Sequence, residues 1–170
     1  GKEEVANELY QCNYSVADTL SKVDIAALNI KDVGKVAFDT EARGNKFWVD
    51  PLITIQLCYG TGTVVIPWYL TCEDDDPDKI ASWNLKECWK KDEKDYIKHQ
   101  LRSVFEDKSI SKIAHSFKFD LNMFRHQLGI NIRGFAYDTM VMHHLLWEYP
   151  PHNLETLADV ELGTGDYGLP

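Results

Sequence analysis

Two carboxylates one residue apart, Asp39 and Glu41, close the short apolar run in VAFDTEARG, Val36 to Gly44. In an extended strand, side chains two positions apart share a face. Asp39 and Glu41 therefore project together on the side of the small Ala37, while Val36, Phe38 and Thr40 point to the other. Like charges held side by side repel, and a cation between them relieves that cost. The pair also fits two solvated acids where a strand runs out into a loop. A second cluster, IAHSFKFDLNMF, ends a buried strand at His115 and opens a helix near Lys118. Asp120 falls in the first turn of that helix, where the dipole favours a carboxylate and free N–H groups need acceptors. Against a purely capping role stands its company: Ser116, Lys118 and Asp120 gather where an apolar strand ends, the usual place for a site in an α/β sheet.

The elements that must position these residues follow from periodicity. KVAFDTE, LITIQLCYG and TVVIPWYL are each rich in β-branched residues and bounded by Gly, Asp or Pro. The GTG between the second and third supplies the glycines of a tight hairpin turn, which predicts three sequential antiparallel strands. DYIKHQLRSVFED carries Tyr96, Ile97, Leu101, Val104 and Phe105 at helical spacing, SKIAHSF follows as a strand, and KFDLNMFRHQLG is a helix closed by Gly129. YDTMVMHHLLWEY is predicted as a helix capped by Asp138 or Thr139 and stopped by Pro150 and Pro151, and HNLETLADVEL as a last short one. Residues 1–34 read as an N-terminal arm, with Asp18 a candidate N-cap for TLSKVDIAAL, ahead of a domain over residues 35–170. The order is that of an α/β fold: a mixed sheet, three antiparallel strands plus a further strand, covered by helices.

Composition sets bounds on what such a fold can do. With 170 residues, 44% hydrophobic and 12% aromatic, the chain suffices for one well-formed core. Its net charge of -9, from 27 acids and 18 bases, excludes a broad basic face that would hold a polyanion by counterion release alone. Metal ions or a neighbouring basic domain must then supply the attraction for any nucleic acid. The acid run Glu73 to Asp76 lacks the oxygen spacing and glycine of a calcium loop and reads as solvated. Cys12, Cys58, Cys72 and Cys88 form no C-x-x-C pair, which fits reduced thiols. No segment approaches the ~18 apolar residues of a membrane span. The expectation is a cytoplasmic protein, in the host cytoplasm if viral, with no membrane partner.

FDTEA followed about eighty residues later by AHSFKFDLNMF resembles the first two motifs of the DEDD superfamily of 3′ to 5′ exonucleases, which have a ribonuclease H-like fold. The chain is most similar to the proofreading domain of family A DNA polymerases, including those of phage type. YDTMVMHHLL resembles the helix that follows the second motif there, and NLETLA the short segment after it. The resemblance covers Lys35 to Leu162. It implies a two-metal mechanism in which Asp39, Glu41 and Asp120 hold two Mg²⁺ or Mn²⁺ ions, in keeping with hard oxygen donors and the absence of a His/Cys cluster. It implies further that Thr40, Ser116 and Lys118 contact the substrate. The expected partners are a single-stranded DNA 3′ end and the rest of a polymerase chain.

Two departures from the family pattern stand out. Ser116 occupies the position where the family usually has Asn, so a hydroxyl of shorter reach replaces an amide. The third motif, a Tyr or His four or five residues ahead of a fourth Asp, is not found: Asp138, Asp159 and Asp166 all lack the aromatic. The expectation is a fragment cut before that motif, with little activity alone; the alternative is a catalytically incomplete module that positions DNA or another polymerase domain. Beyond the motifs, His143 and His144 read as core or rim histidines, and Trp83 and Trp89 as cover for one edge of the core. Phe47 and Trp48, just after the acid pair, are candidates for contact with a 3′ terminal nucleotide.

Overall fold

The strand signals that begin at Lys35 become the centre of a mixed six-stranded sheet in a computed structural model, which describes residues 14–60, 62–72, 84–149 and 151–164. In chain order the elements are β1 (Tyr14–Val16), α1 (Leu20–Val33), β2 (Lys35–Ala42), β3 (Leu52–Tyr59), β4 (Gly62–Pro67), β5 (Tyr69–Cys72), β6 (Asn84–Glu87), α2 (Lys91–Phe105), β7 (Ser111–Ala114), α3 (Lys118–Met123), β8 (Phe135–Asp138), α4 (Thr139–Leu146) and α5 (Leu154–Leu157). The sheet runs β1-β4-β3-β2-β7-β8, and β5 pairs with β6 in a separate ribbon. β2 is antiparallel to β3, and β3 to β4. β1 lies parallel to β4, β7 to β2 and β8 to β7. The predicted three antiparallel strands and the further strand, β7, are all present, and β1 and β8 extend the sheet at its two edges.

Alternation decides which face of β2 meets the core. Val36, Phe38 and Thr40 are buried, while Lys35, Asp39 and Glu41 are exposed. On the core side Phe38 meets Phe105 of α2 and Phe124 edge-on, with ring centroids 5.1 and 5.6 Å apart. α1 buries Val23, Ala26, Ala27 and Ile30, at the spacing of one helix face, and so builds the described part of the arm into the same core. Its cap is Thr19, whose side chain accepts from Lys22 N–H; Asp18 instead pairs with Lys22 Nζ at 2.7 Å. α2 buries Ile97, Leu101, Val104 and Phe105, but Tyr96 lies half exposed and donates its hydroxyl to Asp24 at 2.9 Å. Trp89 covers a core edge as expected, buried with its indole N–H on Pro67 O; Trp83, Cys12 and the acid run 73–76 lie outside the described residues.

Beyond the sheet's central strands the chain departs from regular helices. α3 and α5 each continue into a π-helical turn, Phe124–Leu128 and Ala158–Leu162. Gly129 and Gly163, with φ of 69° and 68°, end those turns in the left-handed region that glycine enters without strain. Lys112 on β7 is fully buried, its ammonium donating to Ile110 O at 2.8 Å and to Asp107 O. Burial pushes its pKa down to about 8, against the attraction of Asp107. α4 buries none of its residues, although its sequence is apolar, and Leu145 and Leu146 are exposed.

Candidate active site

The exposed face of β2 presents Asp39 and Glu41 together, as alternation requires. Asp39 pairs across the ladder with Gln56 and Glu41 with Thr54. A register shift between Glu41 and Ala42 interrupts the ladder with β3, which resumes with Ala42 opposite Leu52. Burial among the surrounding groups raises the Asp39 carboxyl above the usual range, opposed by a hydrogen bond from the Thr40 backbone and by His115. Glu41 is raised by burial and then by the charge of Asp39, the signature of two acids sharing one site.

Asp120 approaches from α3 and is 3% exposed. Thr40 Oγ1 donates to its Oδ1 at 2.5 Å, linking α3 to the core-facing side of β2. Burial raises the Asp120 carboxyl to about 6; the Thr40 hydrogen bond opposes this and the negative charge of Asp39 adds to it. All three acids are thus electrostatically joined through Asp39. Thr40, expected at the substrate, has a buried side chain that supports Asp120 instead.

The turn from β7 into α3 carries the other expected substrate residues. Lys118 is exposed at the start of the helix, and Ser116 adopts φ 55°, a left-handed conformation unusual for a residue with a Cβ. Ser116 N–H and Phe117 N–H donate to the two oxygens of Asp138, at 3.0 and 3.1 Å. The same carboxylate caps α4, accepting from Met140 N–H at 2.9 Å and Val141 N–H at 3.2 Å. Burial would raise Asp138, but these four donors outweigh it and hold the carboxyl below its usual range. His115 Nδ1 lies 2.9 Å from Thr139 Oγ1, and burial lowers its pKa against the pull of Asp138 and Asp39. The sequence identified Asp138 as a helix cap; its second role on the preceding turn depends on the β7–β8 pairing, in which Ala114 faces Asp138.

Beside Asp39 a groove of about 290 Å³ runs over the open sheet face, lined by Ala37, Gln56, Ile113, His115 and Leu154. Gln56 donates its amide to Thr54 Oγ1 at 2.7 Å, and its Oε1 is a buried acceptor without a partner. Nothing in the sequence pattern marked this residue except its place opposite Asp39. Phe47 packs on the core and on the edge of Trp48, which is 58% exposed. His143 and His144 sit at the rim with His152 between them, nitrogens 2.7 and 3.1 Å apart.

The donor set suits a hard divalent cation: carboxylates only, each raised by burial, with Asp39 acting on the other two. Among the described residues no three His, Cys, Asp or Glu side chains are grouped tightly enough to enclose an ion. Asp120 is turned onto Thr40, so the three acids form an open set rather than a closed cage.

A central strand carrying two acids is flanked by a parallel strand whose following helix carries a third, within a mixed sheet of ribonuclease H-like fold. The family model described as 3′-5′ exonuclease matches residues 14–167, and the chain belongs to that family. No match was found among curated proteins. Among solved structures, the fold is similar to RNase D of Trypanosoma brucei in complex with RNA U12, at 14% identity and TM-score 0.69, over 96% of this chain and 51% of that one. It is also similar to Escherichia coli RNase D, an exoribonuclease involved in structured RNA processing, at 20% identity and TM-score 0.62, over 89% of this chain and 34% of that one. Brucella melitensis NrnC with bound Mg²⁺ gives 21% identity and TM-score 0.59, over 84% of this chain and 60% of that one. The chain thus spans from about a third to under two thirds of the length of these proteins. No described helix is long and apolar enough to cross a membrane.

Proposed function

We propose that this chain is the metal-dependent 3′ to 5′ exonuclease domain of a family A DNA polymerase, removing nucleotides from single-stranded DNA 3′ ends in the cytoplasm. The observation that carries the metal dependence is the position of Asp39, on the outer face of β2 beside Glu41 and near enough to Asp120 of α3 for its charge to act on both. Asp39 and Glu41 would hold the ions from the strand and Asp120 from the helix, with two Mg²⁺ or Mn²⁺ as the intended complement. Bound there, the ions would lower the pKa of the attacking water and stabilise the departing 3′ oxygen. The water oxygen would bond to phosphorus and give up a proton as the P–O3′ bond breaks; O3′ takes up a proton to leave a 3′ hydroxyl on the shortened strand, and a nucleoside 5′-monophosphate departs. The exposed Lys118 would pair with a phosphate oxygen, and the Ser116 hydroxyl would donate to the substrate. With a net charge of -9 on the chain, the ions would also offset repulsion between enzyme and DNA.

Asp39→Ala or Asp120→Ala in the intact protein should abolish Mg²⁺-dependent release of mononucleotides from single-stranded DNA. Unchanged release by either variant would defeat the proposal. The likeness to an RNase D solved with RNA favours a second reading, an RNA-trimming enzyme. Turnover of matched DNA and RNA oligonucleotides side by side separates the two, since the polymerase reading requires DNA to be the better substrate.

A further inference from the structure

We infer that Asp138 is a positioning residue for the acid site, acting through the turn that launches α3. The inference rests on the exonuclease reading above. α3 spans six residues before its π-helical continuation, whose Phe124 and Leu128 anchor the far end in the core, while its N-cap residue Phe117 makes no side-chain cap bond. The start of the helix is held by the turn before it. There Ser116 sits at φ 55°, a conformation that a residue with a Cβ keeps only when its surroundings over-determine it. The determining contact is Asp138: two successive N–H groups, Ser116 and Phe117, converge on its two oxygens at 3.0 and 3.1 Å.

Asp138 is itself held firmly. It is 9% exposed, lies at the end of β8 opposite Ala114, and accepts from two further N–H groups at the start of α4. The neighbouring Thr139 fastens the other side of the turn through His115 Nδ1 at 2.9 Å, and Phe117 stacks on Phe135 with ring centroids 3.6 Å apart. The last strand of the sheet thereby sets the heading of a helix whose first turn carries Asp120 and Lys118. A carboxylate is needed because both of its oxygens are used, and because four donors converge on it.

Serine at 138 separates this role from simple helix capping. A single hydroxyl can still cap α4 but is too short to reach Ser116 and Phe117 as well. In the intact protein, Asp138→Ser and Asp138→Ala should both raise the Mn²⁺ concentration for half-maximal nucleotide release by about tenfold or more. The KM for a long oligonucleotide should rise as well, since Ser116 and Lys118 travel with the same turn. If Asp138→Ser restores wild-type Mn²⁺ dependence while Asp138→Ala does not, the residue is only a cap and the inference falls. Amide hydrogen exchange reads the same point without activity: Ser116 and Phe117 should lose protection in Asp138→Ser while Met140 and Val141 keep theirs, and retained protection at the first pair overturns the inference. A wild-type protein that releases no nucleotide defeats the exonuclease proposal, and the exchange measurement still decides the positioning of the turn.

Discussion

Replacing Asp120 by Asn should make the metal-free protein more stable while removing its activity. The carboxyl is 3% exposed, and its pKa is raised from 3.8 to about 6, chiefly by burial. Such a rise corresponds to about 3 kcal/mol held against the ionised form. Asn keeps an oxygen to accept from Thr40, and the charge assistance it loses is already within that rise, but its buried NH2 group needs a partner of its own, at a cost of about 1–2 kcal/mol. A net gain of about 1–2 kcal/mol is therefore expected, roughly 3–6 °C in Tm for a domain of this size. Its pH dependence has a definite sign. Because the folded pKa lies above the unfolded one, the wild-type penalty is complete above pH 6, shrinks as pH falls towards 3.8, and is gone below that. Thermal melts of both proteins in EDTA at pH 7.5 and about pH 4 should show the gain at the first and its loss at the second. Adding Mg²⁺ should stabilise the wild type and leave the variant nearly unchanged. A variant that is less stable than wild type at pH 7.5, or whose advantage is the same at both pH values, would refute the account of Asp120 as a buried charge awaiting a cation.

Three other perturbations test separate links. Thr40→Val keeps shape but removes the donor to Asp120, and should cost about 1.5–3 kcal/mol in urea unfolding at pH 7.5 and much less near pH 4, where Asp120 is protonated. Asp39→Asn should lower Mg²⁺-dependent nucleotide release by about a hundredfold or more, measured on a labelled single strand, and should return Glu41 towards the ordinary carboxylate range by NMR titration. Phe38→Ala empties the contact between Phe105 and Phe124 and should cost about 3–5 kcal/mol, read from the urea midpoint.

The sequence displays what is local and periodic. Alternation over residues 35–42 placed Asp39 and Glu41 on one face, and the helical spacing of Ile97, Leu101, Val104 and Phe105 marked the buried side of α2. β1 could not be found this way: three exposed residues at a sheet edge carry no alternation. β8 was hidden because FAYD runs straight into an apolar helix, and nothing but its pairing with β7 makes it extended. In the site, only the resemblance to the exonuclease motifs joined Asp120 to the acid pair. The Thr40 to Asp120 bond spans eighty residues and joins the opposite face of β2, so no local pattern announces it. Asp138 was legible as a cap because capping is local; its hold on Ser116 and Phe117 required the order of strands. Tyr96 and Asp18 show the limit of residue type, since an aromatic at helical spacing turned outwards and an acid ahead of a helix took a lysine partner instead of a cap.

The alternation in β2 also ties assembly to chemistry. Val36, Phe38 and Thr40 face the core, and Lys35, Asp39 and Glu41 face out. A slip of one residue would drive both acids into the aromatic cluster and expose Phe38, an arrangement no cation could rescue. An error of register at this strand therefore costs the core and the acid pair together. One inserted or deleted residue between Val36 and Glu41 should forfeit the fold and the acid pair in a single stroke.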